Sequence, residues 1–412
     1  MKPALCSMSI LVLKASRYIS NRLSTFSKPR PEKTTMTADQ TYQICRNCIM
    51  DTSDPWIIFD DQGVCNHCQN FKINIIPRWM PNHAGKAVLE KKANEIRLKG
   101  AGQEYDCIIG VSGGIDSSYL LHVAKEIMNL RPLAVHVDAG WNSEQAVRNI
   151  EKLTSKLDID LFTYVVNWKE MRDLQLSYMK SSIANQDVPQ DHVFFAKLYD
   201  FAIKNKIKYT LTGANFATES ILPRSWGYNA TDSKQLRAIH RMFGSVMLKS
   251  YVMSSIFKSY VYYPYILGIK VFSPLNFMPY DKDEAIDFLS STYGWEYYGG
   301  KHFESRWTKF FQSYYLPKKF GYDKRRAHLS SLIVSGQRTR EACLEEMQKP
   351  PYDELEVTSD LQFVAKKLRI GLDELEALIN LPNKEYTDYP NNSAFEQFLR
   401  KIKLLMVRLK LL

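Results

Sequence analysis

The 412-residue sequence predicts an α/β fold in which a doubly wound parallel sheet follows a small cysteine-rich module and precedes a mainly α-helical C-terminal region. Three observations predict it. Short apolar runs typical of buried strands alternate with segments of helical length, which is the pattern of βαβ units. Glycine, serine and acidic residues cluster where the first of these strands ends. After residue 300 the sequence changes to dense Lys, Arg and aromatic mixtures with long helical patterns.

The elements follow in order along the chain. Apolar runs predict four strands, at residues 107–112, 131–140, 160–166 and 208–213. Helical patterns cover residues 86–99, 116–129, 143–157, 168–184, 192–206 and 281–293. We divide the chain into a leader over residues 1–40, a cysteine module with a linker helix over 41–100, the sheet domain over 101–300 and the helical region over 301–412.

The bulk composition restricts the class of protein. A hydrophobic content of 45% and a charged content of 24% are typical of soluble globular proteins, and no apolar run is long enough to span a bilayer. The formal net charge of +11 favours an anionic partner. Four of the seven cysteines form two close pairs, which does not fit a secreted disulfide framework, so we expect a cytoplasmic protein. The basic leader is interpreted as disordered, or as an extension upstream of a start at Met36.

The junction after the first predicted strand carries the strongest functional signal. In SGGIDSS, residues 112–118, two glycines and three serines stand at the junction between a strand and a helix. Glycines let an anion approach the backbone, and the N–H groups of a helix N-terminus attract it. Asp116 would repel a phosphate unless a cation such as Mg²⁺ lay between them, so this stretch predicts a nucleotide bound with its metal. The residues expected here are Ser112, Gly113, Gly114, Asp116, Ser117 and Ser118.

This stretch resembles the SGGxDS loop of the PP-loop ATP pyrophosphatases, the superfamily that contains GMP synthetase, NAD synthetase and the asparagine synthetase domain. The resemblance implies that the nucleotide is ATP and that Asp138, at the end of the second strand, lies near the adenosine. It also implies that Gly213 and Asn215 bind the nucleotide and that Glu219 joins Asp116 on Mg²⁺. The alternatives are a turn that only tightens strand–helix packing and, for Glu219, a solvated helix acid.

Four cysteines follow the leader as CRNC and CNHC, separated by sixteen residues. Two such knuckles are typical of a zinc ribbon, in which four thiolates surround the ion. We therefore predict structural Zn²⁺ in a zinc-ribbon-like module; a redox-active pair or an iron–sulfur cluster is the alternative. The predicted ligands are Cys45, Cys48, Cys65 and Cys68. His67 lies inside the second knuckle and is expected to be a bystander.

Three stretches together resemble the N-acetyl sugar amidotransferase family, the WbpG-type proteins of lipopolysaccharide O-antigen biosynthesis. They are the cysteine module, the glycine-serine stretch and KHFESRWTKFFQSYYLPKKFGYDKRRAHLSSLIVSGQRTREACLEEM, so the resemblance runs from about Tyr42 to Tyr352. It implies that the N-acetyl carbonyl of a nucleotide-activated sugar attacks the α-phosphate of ATP and releases pyrophosphate. Ammonia would then displace AMP and leave an acetamidino group.

The same resemblance implies partners and substrate contacts. Ammonia would come from separate subunits that resemble the glutaminase and cyclase halves of imidazole glycerol phosphate synthase. The predicted catalytic residues are Asp116, Ser117 and Lys301, and the predicted substrate contacts are Lys301, His302, Glu304 and Arg306. For the charged residues of this stretch a solvated helix face is the alternative. Its aromatic residues, Phe303, Trp307, Phe310 and Phe311, are expected to pack on the sheet domain.

Two other functions stay open from the sequence. A tRNA-thiolating PP-loop enzyme shares the loop, the zinc module and the basic charge. Here the cysteine pairs are assigned to zinc and Cys107 lies inside a strand, so nucleic acid is not the expected partner. A catalytically inactive, zinc-stabilised assembly protein is disfavoured because Ser112, Asp116 and Ser117 are intact.

The last fifteen residues, FLRKIKLLMVRLKLL, contain five basic residues and no acid. As a helix they place Phe398, Ile402, Leu405 and Leu409 on one stripe. Docking on the protein's own surface or on a partner subunit is favoured over a weak contact with an anionic membrane. We expect residues 398–412 to be dispensable for adenylation.

Overall fold

The computed structural model describes residues 42–227, 229–300 and 303–408, and five strands form one parallel sheet in it. The strands are β1 Cys107–Gly110, β2 Pro132–Asp138, β3 Leu161–Val165, β4 Tyr209–Leu211 and β5 Lys270–Phe272. Their order is β3-β2-β1-β4-β5, and β1 pairs with both β2 and β4. This is the predicted doubly wound sheet, and the strand order reverses between β1 and β4, where such sheets bind ligands.

Helices surround this sheet and form the region after it. The α-helices are α1 Asn66–Asn70, α2 His83–Lys99, α3 Ile115–His122, α4 Glu144–Lys156, α5 Trp168–Ser181, α6 Val188–Lys204, α7 Phe216–Glu219, α8 Ser233–Phe243, α9 Lys282–Tyr293, α10 Arg306–Phe310, α11 Leu316–Phe320, α12 Lys324–Val334, α13 Arg340–Gln348, α14 Glu354–Leu368, α15 Leu372–Ile379 and α16 Ser393–Arg408. Four π-helical stretches, Phe71–Ile75, Val123–Ile127, Lys258–Ile266 and Phe311–Tyr315, continue or connect them. Short 3₁₀ turns lie at Ile76–Arg78, Arg224–Trp226, Pro274–Phe277 and Tyr386–Asp388.

Successive residues of β1 face different cores. Ile108 packs into a core that contains Leu174 of α5, whereas Cys107 and Ile109 pack into a second core with Leu120 of α3. Because successive side chains of a strand point to opposite faces, helices cover both faces of the sheet, as predicted.

The helical region after residue 300 shares the first of these cores. Trp307, Phe310 and Phe311 are buried in the cluster that contains Ile108, which confirms the predicted packing of the aromatic stripe. Phe303 is only partly buried. From Gln43 onward the chain forms one compact unit, and the proposed boundaries at residues 100 and 300 stay predictions.

Several element bounds differ from the predicted ones. The helix predicted from residue 192 begins at Val188, because Pro189 stands in its first turn, where a missing N–H costs no hydrogen bond. The three-residue edge strand β5 was not predicted, since it is too short to show a period and exposes two of its side chains. The predicted leader lies outside the described residues. In the part of the chain that is described, every helix is too short or too polar to cross a membrane.

Candidate functional site

A cavity of about 540 Å³ opens at the carboxyl ends of β1 and β4. One side is polar and is formed by the glycine-serine loop (residues 111–118) together with the turn that follows β4. The other side is largely apolar and is formed by Phe194, Phe195, Leu198, Tyr199 and Val271. A concave site with one polar and one apolar side suits a ligand that carries both phosphates and an aromatic base.

The two glycines of the loop are needed for different reasons. Gly113 has a φ of +83°, and a Cβ there would lie 2.6 Å from the carbonyl oxygen of Ala146. Gly114 is the N-cap of α3 and has no side chain to cap the helix, and the hydroxyl of Tyr298 accepts from Ile115 N at 3.1 Å instead. A Cβ on Gly114 would lie 2.9 Å from Glu304 Oε1. The backbone therefore turns tightly and brings the N-terminus of a helix, which attracts anions, to the cavity.

Two of the three predicted serines come together. Ser112 Oγ and Ser117 Oγ lie 3.3 Å apart, and Gly114 N donates to Ser112 Oγ at 3.2 Å. Both serines line the cavity. Ser118 is buried behind the loop and is not part of the cavity wall.

Asp116 lies where the loop meets the turn after β4. Its Oδ1 accepts hydrogen bonds from Asn215 Nδ2 at 2.9 Å and from Tyr280 OH at 2.7 Å. Burial, the charge of Asp116 and this hydrogen bond raise the pKa of Tyr280 well above its usual range, so the phenol stays a donor. The charge of Glu219 also raises the pKa of Tyr280. Asp116 and Glu219 both line the cavity, and carboxylate oxygens are the ligands that Mg²⁺ prefers.

Gly213 allows the turn after β4 to approach the glycine-serine loop closely. A Cβ at this position would lie 2.8 Å from the carbonyl group of Asp116. The turn after β4 therefore packs directly on the start of α3. Gly213 lines the cavity, whereas Asn215 acts from behind it through its bond to Asp116.

Asp138 lies at the end of β2, where its carboxylate is engaged by the turn that follows. Its Oδ1 accepts from Gly140 N at 2.7 Å and from Asn142 Nδ2 at 3.1 Å, so the carboxylate closes the turn after β2. The cavity wall at the end of this strand and in the turn after it is made by His136, Val137, Ala139 and Asn142. His136 Nδ1 donates to the carbonyl of Val111 at 2.9 Å, and its Nε2 accepts from Asn142. The contact between Asp138 and adenosine stays a prediction.

Glu304 is the predicted substrate residue that reaches the glycine-serine loop. Ser112 Oγ donates to Glu304 Oε1 at 3.3 Å, and Ser143 N donates to the Glu304 carbonyl at 2.8 Å. The chain beside it is held by an antiparallel bridge between Asn142 and Ser305. The stretch that carries Glu304 is thus fastened to the turn after β2 and faces the loop after β1.

Of the other predicted substrate residues, the structure describes only Arg306. Arg306 is not part of the cavity wall: its Nε donates to buried Asp360 at 3.1 Å, and its guanidinium lies 3.7 Å from the ring centroid of Phe363. Lys301 and His302 fall outside the described residues. The roles of these three residues stay predictions.

Several cavity residues were missed by sequence reasoning. They are Asn185, Asp187, Gln190 and Asp191 before and within the first turn of α6, and Thr308 and Lys324 of the helical region. Asp187 Oδ1 accepts from Gln190 Nε2 at 2.7 Å and from Thr308 Oγ1 at 3.2 Å, which joins the two regions. The sequence signal was DVPQD, an acid and a proline at a helix start.

The four predicted zinc ligands form one buried cluster. The ligand atoms of Cys45, Cys48, Cys65 and Cys68 all lie within 4.8 Å of one another. Two sulfur pairs, Cys45–Cys68 and Cys48–Cys65, are 3.9 and 3.7 Å apart. Zinc–sulfur bonds of about 2.3 Å in a tetrahedron require sulfurs roughly 3.8 Å apart, so this donor set fits zinc. His67 bonds to Asp54 at 2.7 Å and lies outside the cluster, as expected of a bystander.

The cysteine module also supports a wall of the cavity. Trp226 lines the cavity and packs in one buried cluster with all four cysteines. Its neighbour Ser225 donates to Asp54 Oδ1 at 2.7 Å, and the other oxygen of Asp54 bonds to His67 of the second knuckle. The knuckle is therefore linked through two side chains to the cavity wall.

The comparisons with known proteins match the two sides of this site. A family model described as "LPS biosynthesis protein WbpG-like, C-terminal domain" matches residues 304–403. A second, described as "Phosphoadenosine phosphosulfate reductase domain", matches residues 106–213. The first includes Glu304 and Lys324, and the second contains the whole glycine-serine loop. The cavity thus lies where the two matched regions meet.

The individual proteins that match this chain have low sequence identity to it or match only a part of it. An uncharacterized protein of Methanocaldococcus jannaschii is 30% identical over 120 residues, which is 28% of this chain, and the chain spans 40% of that relative's length. An NH3-dependent NAD synthetase from Campylobacter jejuni aligns over 38% of this chain and 72% of its own, at 16% identity and a TM-score of 0.27, too low to support a functional conclusion. The chain thus has a region similar to a PP-loop-type domain on one side of the cavity and a WbpG-like region on the other, and this combination supports a relationship to the WbpG-type PP-loop proteins.

Proposed function

We propose that this protein is an ATP-dependent, AMP-forming amidotransferase that converts the N-acetyl group of a nucleotide-activated sugar to an acetamidino group. The observation that carries the proposal is the contact between Ser112 and Glu304. It brings the phosphate-binding loop of one matched domain against the first residue of the other, so a nucleotide and a second substrate can meet there.

The nucleotide fits the polarity of the cavity. The loop and the N-terminus of α3 supply backbone donors for the pyrophosphate part of ATP. Lys324 lines the same cavity and supplies a cation for the charge that develops on the leaving group. Phe194 and Tyr199 line the apolar side, where an adenine ring can be buried.

The residues for a metal ion are also in place. Asp116 and Glu219 offer carboxylate oxygens on the wall beside the loop, and Tyr280 and Asn215 orient Asp116 from behind. Mg²⁺ held there would neutralise charge on the phosphates of ATP. The cysteine cluster would hold Zn²⁺ in a structural role, because four thiolates leave no open position.

The proposed reaction has two steps. The acetamido carbonyl oxygen bonds to the α-phosphorus while the bond to pyrophosphate breaks, and the nitrogen of the amide loses its proton to give an O-adenylyl imidate. Ammonia then bonds to the imidate carbon, AMP leaves with the C–O electron pair, and the amidine remains. We assign Glu304 as the base that accepts the amide proton, since its carboxylate lies beside the loop. The ammonia is proposed to come from a separate glutaminase subunit.

Product analysis tests this function directly. With ATP, Mg²⁺, ammonium and an N-acetylated sugar nucleotide, the protein should release AMP and pyrophosphate and produce an amidine whose mass is one unit below that of the acetamide. Formation of ADP and phosphate would contradict adenylyl transfer. Glu304→Gln should lose this activity, whereas Glu90→Gln, an exposed acid of α2, should not.

Sulfur transfer to RNA is the less supported alternative. In the described part of the chain every cysteine is buried, and none lines the cavity. A thiol that carries sulfur to a bound base therefore has no candidate among these residues.

A further inference from the structure

One surface of the described chain combines exposed apolar side chains with basic ones. On α16, Phe395, Phe398 and Leu405 are 41%, 51% and 37% exposed, and with the partly buried Ile402 they share one stripe. The sequence favoured docking of this helix on the protein's own surface or on a partner subunit. The helix does dock on the protein's own surface, through a side that contains Glu396 and the partly buried Leu399 and Met406, whereas Phe395, Phe398 and Leu405 of the stripe are exposed.

The docking contacts show which side is held. Glu396 Oε1 accepts from Tyr260 OH at 2.8 Å and from Arg400 Nη2 at 2.6 Å. Tyr260 belongs to the π-helix Lys258–Ile266, which is therefore the immediate neighbour of α16. That neighbour also presents apolar groups to solvent: Phe257, Tyr265 and Ile266 are each about half exposed. We call residues 257–266 and 393–405 together the C-terminal face.

The two segments of the chain that contain this face are rich in cations. Residues 233–270 contain six Lys and Arg and no acid. Residues 393–412 contain five Lys and Arg and one acid, Glu396, whose charge is paired with Arg400. Together these 58 residues carry a formal charge of +10, against +11 for the whole chain.

We propose that the C-terminal face docks on an anionic lipid surface. Exposed Phe, Leu and Ile side chains can enter the headgroup boundary of a bilayer, while the surrounding Lys and Arg are attracted to anionic lipids. A nucleic acid would also attract the cations, but it would use aromatic rings for stacking and would gain nothing from Ile266, Ile402 and Leu405. The mixture of aliphatic and basic residues therefore favours lipid over RNA.

Vesicle sedimentation of the full chain tests the proposal. The protein should sediment with vesicles of phosphatidylcholine and phosphatidylglycerol, and not with vesicles of phosphatidylcholine alone. Binding should weaken as salt is raised, because salt screens exposed charges. The exposed lysines Lys401 and Lys403 can be neutralised without touching the Glu396–Arg400 pair. The double variant Lys401→Gln, Lys403→Gln should bind roughly 30-fold more weakly, from about two lost charges near the surface.

A second pair of double variants tests whether vesicle binding depends on the apolar stripe of α16 or on any exposed apolar side chain. Phe395→Ser with Phe398→Ser should weaken binding by roughly tenfold or more. Leu98→Ser with Leu355→Ser removes two side chains that are 78% and 85% exposed on other helices and should bind as the unmodified protein does. Circular dichroism melts of all variants should coincide, since each altered side chain is exposed.

Three results would overturn the proposal. The first is the absence of sedimentation with anionic vesicles at low salt. The second is a change from dimer to monomer in light scattering when the stripe is altered, which would assign the stripe to a second copy of the chain. The third is retention on immobilised tRNA by a protein that does not bind vesicles, which would assign the basic face to RNA.

Discussion

The carboxylate of Asp116 lies between the glycine-serine loop and the turn after β4, and its neighbours hold it in one orientation. We predict that Asp116→Asn abolishes AMP formation, by at least about 100-fold, while the melting temperature changes little. Asparagine keeps one oxygen that can accept from Tyr280, but its second oxygen is replaced by an NH2 group and the charge that a metal ion requires is lost. AMP release and thermal melting, measured side by side, check both parts. Turnover at the unmodified rate with Mg²⁺ would show that this acid is not a metal ligand.

His192 makes a second prediction at the scale of one residue. Burial lowers its pKa to about 4, and the nearby charges of Asp232 and Arg237 oppose each other. In the fold its Nδ1 donates to the Ala230 carbonyl and its Nε2 accepts from Ser254 N, so the ring is held neutral. An unfolded histidine binds its proton near pH 6.5. Between these values the unfolded state holds more protons, so stability falls as the pH is lowered.

The size of this effect follows from the two pKa values. The loss should approach about 3 kcal/mol by pH 4. His192→Gln keeps one donor and one acceptor but does not titrate, so its free energy of unfolding should fall less over the same range. Urea unfolding of both proteins at several pH values measures the difference, in which other titrating groups cancel. Parallel pH profiles would contradict the prediction.

Sequence reasoning located some residues of the site and not others. The glycines and serines of the loop were identifiable because their chemistry depends on backbone conformation near one junction. Asp138 was assigned from its position at a strand end; its carboxylate accepts from Gly140 N in the turn after β2, and its contact with adenosine stays a prediction. No pattern in the sequence indicated His136, which lines the cavity. Side chains that come from distant turns, such as Asp187, depend on tertiary packing that no local period shows.

The cysteine module is the element whose role is most easily tested. Cys65→Ser removes one thiolate from a closed cluster, so we predict loss of bound zinc and a lower melting temperature, since metal binding and folding are linked in such modules. Cys343→Ser is the matched control, because Cys343 is equally buried but lies outside the cluster. Metal analysis of the purified proteins should find zinc in the control and not in the variant. The absence of zinc from the unmodified protein would refute the assignment.

The same module should affect the nucleotide site. Because Trp226 packs on the cysteines and lines the cavity, loss of zinc should also weaken ATP binding. Ser225→Ala tests the link between the cysteine module and the cavity wall without removing a cysteine. It removes the hydrogen bond to Asp54 and leaves the four-cysteine cluster intact. This variant should retain zinc and bind ATP more weakly in calorimetry. Unchanged ATP affinity in both variants would show that the module stabilises the chain without supporting the cavity.

Secondary-structure elements could be predicted where a hydrophobic pattern continues over a long stretch of the sequence. The alternation of strands and helices from residue 107 to 213 gave the sheet and its covering, because burial on both faces produces apolar runs with helical segments between them. The π-helical stretches had no such signal. The helix predicted over residues 116–129 is α-helical only to His122 and then widens into the π-helix Val123–Ile127, a change set by packing rather than by composition.

At the scale of the whole molecule, the cavity and the C-terminal face lie on different elements, so they should be separable. Deleting residues 398–412 removes most of the apolar stripe and no residue of the cavity wall. Glu396 and its bond to Tyr260 remain, so the first turn of α16 keeps its anchor. We predict that the truncated protein folds and releases AMP at the rate of the full chain but no longer binds anionic vesicles. Parallel assays of AMP release, melting and vesicle sedimentation decide it, and a folded but inactive truncation would place this helix in the active assembly.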